Sequence, residues 1–324
     1  MKIKKSIASL TLISLAIGFF ALIGLLSLQF IVEKQEFTVE FEKGESLSRL
    51  AEDLKSKGLI YSEDFFKVTA VLMDYDKKLQ PGEYHLDTTM NGLQMLDKIS
   101  SGKVVYRRVT IPEGLTVAEI KQMLNKNEYL VGKPNIEIKE GYLLPETYSF
   151  RKGDTRNSIL LQMQSQMETH LNQVWQNRDK SIDKYIKSKE ELLKLASIVE
   201  KETIIDSEKP VVANVYINRL KSKMRLQADP TVIYGAKNYQ GDITYKMLRD
   251  KNDYNTYVIF GLPKTAIANP GLESLKAVAN PAKTDYLFFV ADGKGGHVFS
   301  HTYDQHKQKV KEYLEIRKQQ GFIK

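Results

Sequence analysis

The sequence predicts an α+β protein with an N-terminal transmembrane helix, a small α+β module and a larger mixed α/β domain. Three features of the 324-residue chain carry that reading. Ser6 to Val32 holds no charged residue and is rich in Leu, Ile, Ala and Phe. Two patterns of strand, glycine turn and amphipathic helix follow, one opening at Phe37 and one at Arg107. Beyond them, helical stripes alternate with short apolar runs. A hydrophobic content of 42% and a charged content of 27% belong to a folded chain, and the length exceeds what one compact core needs.

The apolar run is long enough to cross a bilayer as a helix. A cleaved signal peptide is the competing reading, but its apolar region is shorter, and no persuasive small-x-small cleavage site precedes Glu33. The basic start Met1-Lys2-Ile3-Lys4-Lys5 should stay cytoplasmic, which sends residues 33–324 outside. The expected location is the cytoplasmic membrane, single-pass, with the N-terminus inside and the larger domain on the outer face. Net charge is +8 and pI about 9.2, spread over Lys-rich helices, which favours a polyanion as partner. Placement outside argues against nucleic acid. The absence of cysteine excludes disulfides, thiolate chemistry and cysteine-based zinc sites.

Phe37 to Phe41 alternates like a strand, and Ser46 caps a helix carrying Leu47, Leu50, Ala51 and Leu54, stopped at Lys57-Gly58. A second helix is expected over Ser62–Leu72, then a turn and strand at Pro81-Gly82-Glu83-Tyr84. In the second pattern Thr116 caps a helix with Val117, Ile120 and Leu124 on one stripe. Residues 155–190 are helix-prone, with Leu160, Leu161, Met163, Met167 and Leu171 marking an apolar side. Ser188–Thr203 is the next helix, and Ser207 caps another with Pro210 in its first turn. Past Met224, loops and short strands are expected. Tyr286 to Val290 reads as a buried strand, and a charged helix runs from Tyr303 to Gln319. The boundaries that follow are 1–36 for tail and anchor, 37–105 for the first module, 106–154 for a second small α+β unit, and 155–324 for the remaining domain.

Chemistry concentrates between residues 141 and 300. On the helix bearing LASIVEKET, Leu192, Ala196 and Val199 centre the apolar face, while Lys194 and Lys201 point the other way. Glu200 lies at one border and Glu202 at the other. Desolvation at such a border raises a carboxyl's pKa, as a proton donor requires. The ordinary reading of either residue is a solvated flank, and periodicity does not separate the two. Four clusters mix Tyr rings, planar amides and tight turns: GYLLPETY at 141–148, RLQADPT at 225–231, YNTY at 254–257 with Gly261-Leu262-Pro263, and ADGKGGH at 291–297. Sugars are bound by such combinations. Candidates for binding are Gln227, Asp229, Tyr254 and Asn255, with Glu146 and His297 as further ones. No acidic partner that would orient His297 can be read from the sequence. Gly293 to Gly296 lacks Walker spacing, and neither HExxH nor G-x-S-x-G occurs, so no metal or other cofactor is expected.

The first module resembles a LysM-like peptidoglycan-binding unit. A plain spacer is the alternative. Taken together, LASIVEKET, VYINRLKSKMRLQADPTVIYG, YNTY with GLPKTAIANPG, and SLKAVANPAKTDYLFFVADGKGGH resemble the MltG/YceG-like endolytic murein transglycosylases over nearly the whole chain. Lys264 stands where a second proline is usual, and Ala266-Ile267-Ala268 is a loose version of the usual loop. The resemblance implies cleavage of the β-1,4 bond between N-acetylmuramic acid and N-acetylglucosamine, with the muramic C6 hydroxyl attacking C1 to leave a 1,6-anhydro end. It implies that Glu200 is the acid and then the base. One carboxyl suffices when the substrate supplies the nucleophile, whereas most glycosidases need two. Implied partners are peptidoglycan strands, the membrane and penicillin-binding synthases, in a setting of wall synthesis and cell division. A hydrolytic muramidase using Glu202, Asp229 or Glu146 as second carboxylate, and a non-catalytic glycan-binding scaffold, remain as alternatives.

Overall fold

The computed structural model describes residues 33–237 and 239–319. The expected membrane span at 6–32 lies outside them; among the described residues no helix is long and apolar enough to cross a membrane. The chain forms two compact units. The first runs up to Arg107 and takes back Ser149–Gly153; the second holds Arg108–Tyr148 and the chain from Asp154 onward.

In the first unit, strands β1 (Glu36–Phe41) and β2 (Gly82–Asp87) pair antiparallel, with Val39 opposite Tyr84 and Phe37 opposite Leu86. Between them lie helices α1 (Leu47–Ser56) and α2 (Glu63–Leu72), and α3 (Gly92–Ser100) follows. Ser46 and Ser62 accept from the Arg49 and Phe65 amides as N-caps, each worth about 1 kcal/mol. The apolar stripe Leu50, Ala51 and Leu54 is buried against Phe66, Tyr84, Met95 and Ile99.

The second unit is mainly helical. Strands β3 (Arg107–Thr110) and β4 (Thr147–Phe150) form one small sheet, of which Arg108–Thr110 and Thr147–Tyr148 belong to this unit. Thr116 closes a capping box with Glu119 at the start of α4 (Val117–Asn125), whose Val117, Ile120 and Leu124 are buried as their spacing predicts. Then come α5 (Arg156–Gln176), a 3-10 turn (Lys180–Lys184), α6 (Lys189–Glu202), α7 (Lys209–Lys221), α8 (Asp229–Gly235), α9 (Tyr245–Arg249) and α10 (Leu272–Ala279). The hairpin β5 (Phe288–Ala291) and β6 (His297–Ser300) precedes α11 (Tyr303–Gln319).

Helix α6 is the core of this unit. Leu192, Leu193, Leu195, Ala196, Ile198 and Val199 are all buried, and each large side chain contributes about 1.5–3 kcal/mol. The helix is therefore wrapped on more than the one face its periodicity marks, because α5, α7 and α10 all pack on it.

Several local expectations change. Leu161 is exposed, so the apolar side of α5 runs through Leu160, Met163, Met167 and Leu171 without it. Ser207 does not cap α7: Glu208 takes the N-cap position, and its carboxyl is drawn to His297. The run at 286–290 is only half-buried as β5, since its one strand partner is β6 and its cover is the charged helix α11. Past Met224 the chain forms α8 and α10, helices too short for a clear stripe.

Candidate active site

Residues two apart on a helix face about 200° away from each other. Glu200 and Glu202 thus leave the last turn of α6 on opposite flanks, and they enter different surroundings.

On the Glu200 flank, Oε2 accepts from the Gly271 amide at 2.9 Å and from the Ser274 hydroxyl at 2.7 Å. Gly271 precedes α10 and brings no side chain to cap it, so Glu200 supplies the negative end that the first amides need. Oε1 lies 3.6 Å from the Lys209 ammonium, and the carboxyl is 4% exposed. Lys209, 2% exposed, also meets Asp206 at 2.9 Å and Glu113 at 3.4 Å. Burial and then the charge of Glu200 push the Glu113 pKa up, against the pull of Lys209. Burial depresses the Lys209 pKa, but the Asp206 hydrogen bond and the charges of Glu200 and Glu113 outweigh it and leave it raised. A Cβ on Gly271 would sit 1.7 Å from Glu113 Oε1, so that carboxyl lies directly on the glycine backbone. This closed cluster ties together the ends of α6, α7 and α10. It leaves no oxygen of Glu200 free to face a ligand, which goes against the expected role of that residue as proton donor.

The Glu202 flank is different. This residue keeps partial exposure. Burial of its carboxyl raises the pKa to about 7, opposed first by the Tyr216 hydroxyl. Tyr216 donates to Glu202 Oε1 at 2.6 Å. The charge of Asp229 raises the Glu202 pKa further, while His297 and Arg219 lower it. Arg219 is itself buried and held by the Leu287 carbonyl at 2.7 Å and the Leu226 carbonyl. Asp229 accepts from the Tyr257 hydroxyl at 2.6 Å.

The structure thus gathers Asp229 and His297 around Glu202. Gln227 is exposed like Asp229, while Leu226 before it and Ala228 between the two are buried. Asn255 is fully buried: its amide donates to the Met247, Leu248 and Asp250 carbonyls, and its oxygen accepts from the Tyr257 amide. It shapes the loop that presents Tyr257 and has no free group for a sugar. Tyr254 belongs to another network, edge-on to Tyr234 at 4.9 Å, with Tyr234 bonded to Glu140. Glu146 is exposed beside β4, and its carbonyl accepts from the Ile111 amide. Residues not singled out from the sequence complete the site: Tyr216, Arg219, Tyr257 and Glu208. Tyr257 lay within a cluster already marked. Tyr216 fell on an apolar stripe and reads as core there.

His297 has the acidic partner that the sequence could not supply. Its Nδ1 lies 2.7 Å from Glu208 Oε2, and its amide donates to Glu208 Oε1 at 2.9 Å. Thr203, next to Glu202, also donates to Glu208 Oε2, at 3.1 Å. Burial works against charge on Glu208, but the His297 and Thr203 contacts outweigh it and hold its pKa below the usual range. The residue before His297 must be small, because a Cβ on Gly296 would come within 2.8 Å of Glu208 Oε1.

The model of the YceG-like family matches residues 39–312. The endolytic murein transglycosylase of Bacillus subtilis is 32% identical over 87% of this chain and 87% of its own length. That of Streptococcus pneumoniae is 26% identical, over 87% of this chain and 59% of its own length. A crystal structure of a YceG-like protein from Listeria monocytogenes is 30% identical, covers 85% of this chain and 99% of its own, and superposes with a TM-score of 0.50.

Proposed function

The chain belongs to the YceG-like family, and from that premise we propose that it is an endolytic murein transglycosylase whose acid is Glu202 rather than Glu200. The substrate is the glycan strand of peptidoglycan, cut at the β-1,4 bond between N-acetylmuramic acid and N-acetylglucosamine to leave a 1,6-anhydro end.

One observation carries the choice of acid. Glu202 combines a pKa raised to about 7 with partial exposure, whereas both oxygens of Glu200 are committed inside the protein. A donor with that pKa is about half protonated at neutral pH. It can give its proton to the departing glycosidic oxygen and, as a carboxylate, take one back. Tyr216 holds the acid in place. Asp229, Tyr257 and Gln227 offer the sugar-facing polar groups.

Residues 6–32 act as the membrane anchor in this reading, with the N-terminus inside and both compact units outside. The first unit is a LysM-like module that holds peptidoglycan. A tethered enzyme acts on strands close to the bilayer, beside the penicillin-binding synthases that make them, during growth and division.

The test is digestion of purified glycan strands by the full-length protein, with mass detection of the new ends. Wild type should yield anhydro ends, and Glu202→Gln should lose about 10²–10⁴-fold in rate. Reducing ends would instead mean a hydrolytic muramidase, with the exposed Asp229 as its second carboxylate. Unchanged strands with wild type would mean a glycan-binding scaffold.

A further inference from the structure

Within the transglycosylase reading, on which this inference rests, a single carboxyl must serve first as acid and then as base. The structure offers a second proton acceptor. We propose that His297, set in place by Glu208, takes the proton of the attacking C6 hydroxyl while Glu202 protonates the leaving oxygen.

The tautomer follows from the partners. Glu208 is a carboxylate that only accepts, so the 2.7 Å contact requires the hydrogen on His297 Nδ1. That leaves the lone pair on Nε2, the basic position of a neutral imidazole. Among the described residues no protein group is bound to Nε2, and the ring keeps 16% exposure. The same side chain lines a cavity of about 470 Å³, together with Gly293, Gly295, Gly296, Tyr313 and Arg317. Room for a ligand therefore adjoins an oriented base.

The ring is also rigid in a way that a plain surface histidine is not. Two bonds from Glu208 fix its backbone and its Nδ1, and Phe289 meets its face edge-on at 5.4 Å. Thr203 fastens the same carboxylate to the residue that follows Glu202. Acid and base are thus referenced to one helix end.

Electrostatics couple the pair. A positive His297 favours ionised Glu202. The other charged or titratable groups facing His297 are Glu208, Asp292, Tyr313 and Arg317. Asp292 is engaged by the Lys294 and Gly296 amides. In the reaction the bond from C1 to the leaving oxygen breaks, and its electron pair stays on that oxygen, which receives the Glu202 proton. The C6 oxygen forms the new bond to C1 and loses its proton to Nε2. One proton has then passed from Glu202 to His297, creating a neighbouring ion pair where two neutral groups stood. Return of the proton to Glu202, directly or through water, resets the site.

The experiment is the pH dependence of kcat/KM for anhydro-end formation by the full-length protein. Wild type should give a bell, its acidic limb from His297 and its alkaline limb from Glu202. His297→Gln should lose about 10²–10⁴-fold in rate and lose the acidic limb, while the alkaline limb stays. His297→Ala should regain at least tenfold on addition of imidazole, a rescue that a purely structural histidine would not allow. Anhydro ends formed by His297→Gln with the acidic limb intact overturn the role of His297 and leave the transglycosylase reading standing. Reducing ends from wild type overturn that reading, and with it the C6 hydroxyl as proton source.

Discussion

The Tyr216 hydroxyl lies 2.6 Å from Glu202 Oε1, and it is the largest influence opposing the burial that pushes this carboxyl's pKa to about 7. A donor of this kind favours the charged carboxylate and so weakens the acid's hold on its proton. Hydrogen bonds to charged groups contribute about 1.5–3 kcal/mol, enough to show in a rate profile. Tyr216→Phe should therefore move the alkaline limb of kcat/KM to higher pH. The rate on the plateau should drop several-fold, because the carboxyl also loses its orientation. An alkaline limb that stays in place or moves down would contradict this account.

Glu200 predicts a different phenotype. Its removal strands the Gly271 amide, the Ser274 hydroxyl and one face of a buried lysine. Breaking one partner of a buried charge cluster costs about 3–5 kcal/mol. Glu200→Ala should lower the thermal midpoint of the protein markedly, while Glu202→Gln leaves it nearly unchanged and removes activity. Were Glu200→Ala as stable as wild type and inactive, the assignment of the acid would have to revert to Glu200.

How much of this was legible beforehand depends on the range of the interactions. Caps at Ser46 and Thr116 are local, and both were visible in the sequence. The burial of α6 beyond one face was not, because α5, α7 and α10 pack on it together, and α10 is a short helix whose residues give no long stripe. The placing of Glu200 and Glu202 at opposite borders of α6 was also legible. What lies across each border is set in part by contacts 71 to 89 residues away, such as Gly271 to Glu200 and His297 to Glu208. No spacing rule reaches that far. Asn255 illustrates the same limit: beside two tyrosines it looks like a sugar ligand, yet the loop that folds over it uses every polar atom it has.

That loop gives a further expectation. Asn255 donates to three carbonyls of the segment 247–250 and accepts two residues on, so no other side chain of that size matches it. Leaving buried carbonyls without a donor costs about 1–3 kcal/mol. Asn255→Ala should lower stability by that order in thermal or denaturant unfolding. Its effect on KM should come through displacement of Tyr257. A stable Asn255→Ala protein with a raised KM would instead point to direct contact with the glycan.

Asp229 should shift the same profile as Tyr216, but in the other direction. Its negative charge disfavours a second one on Glu202 and so helps keep that acid protonated. Asp229→Asn removes the charge while retaining an oxygen that can accept from Tyr257. The Glu202 pKa should fall, and the alkaline limb should move to lower pH, so that activity above neutrality declines most. Asp229 is exposed, so solvent screens the interaction, and the displacement should be smaller than that of Tyr216→Phe and shrink as salt is added. The double variant separates electrostatics from geometry. If both residues act on the proton of Glu202, the opposite shifts should partly offset, leaving the limb between the positions of the two single variants, while the losses in plateau rate add. A double variant whose limb stays where Asp229→Asn alone put it would mean that Tyr216 holds the carboxyl in position without tuning it.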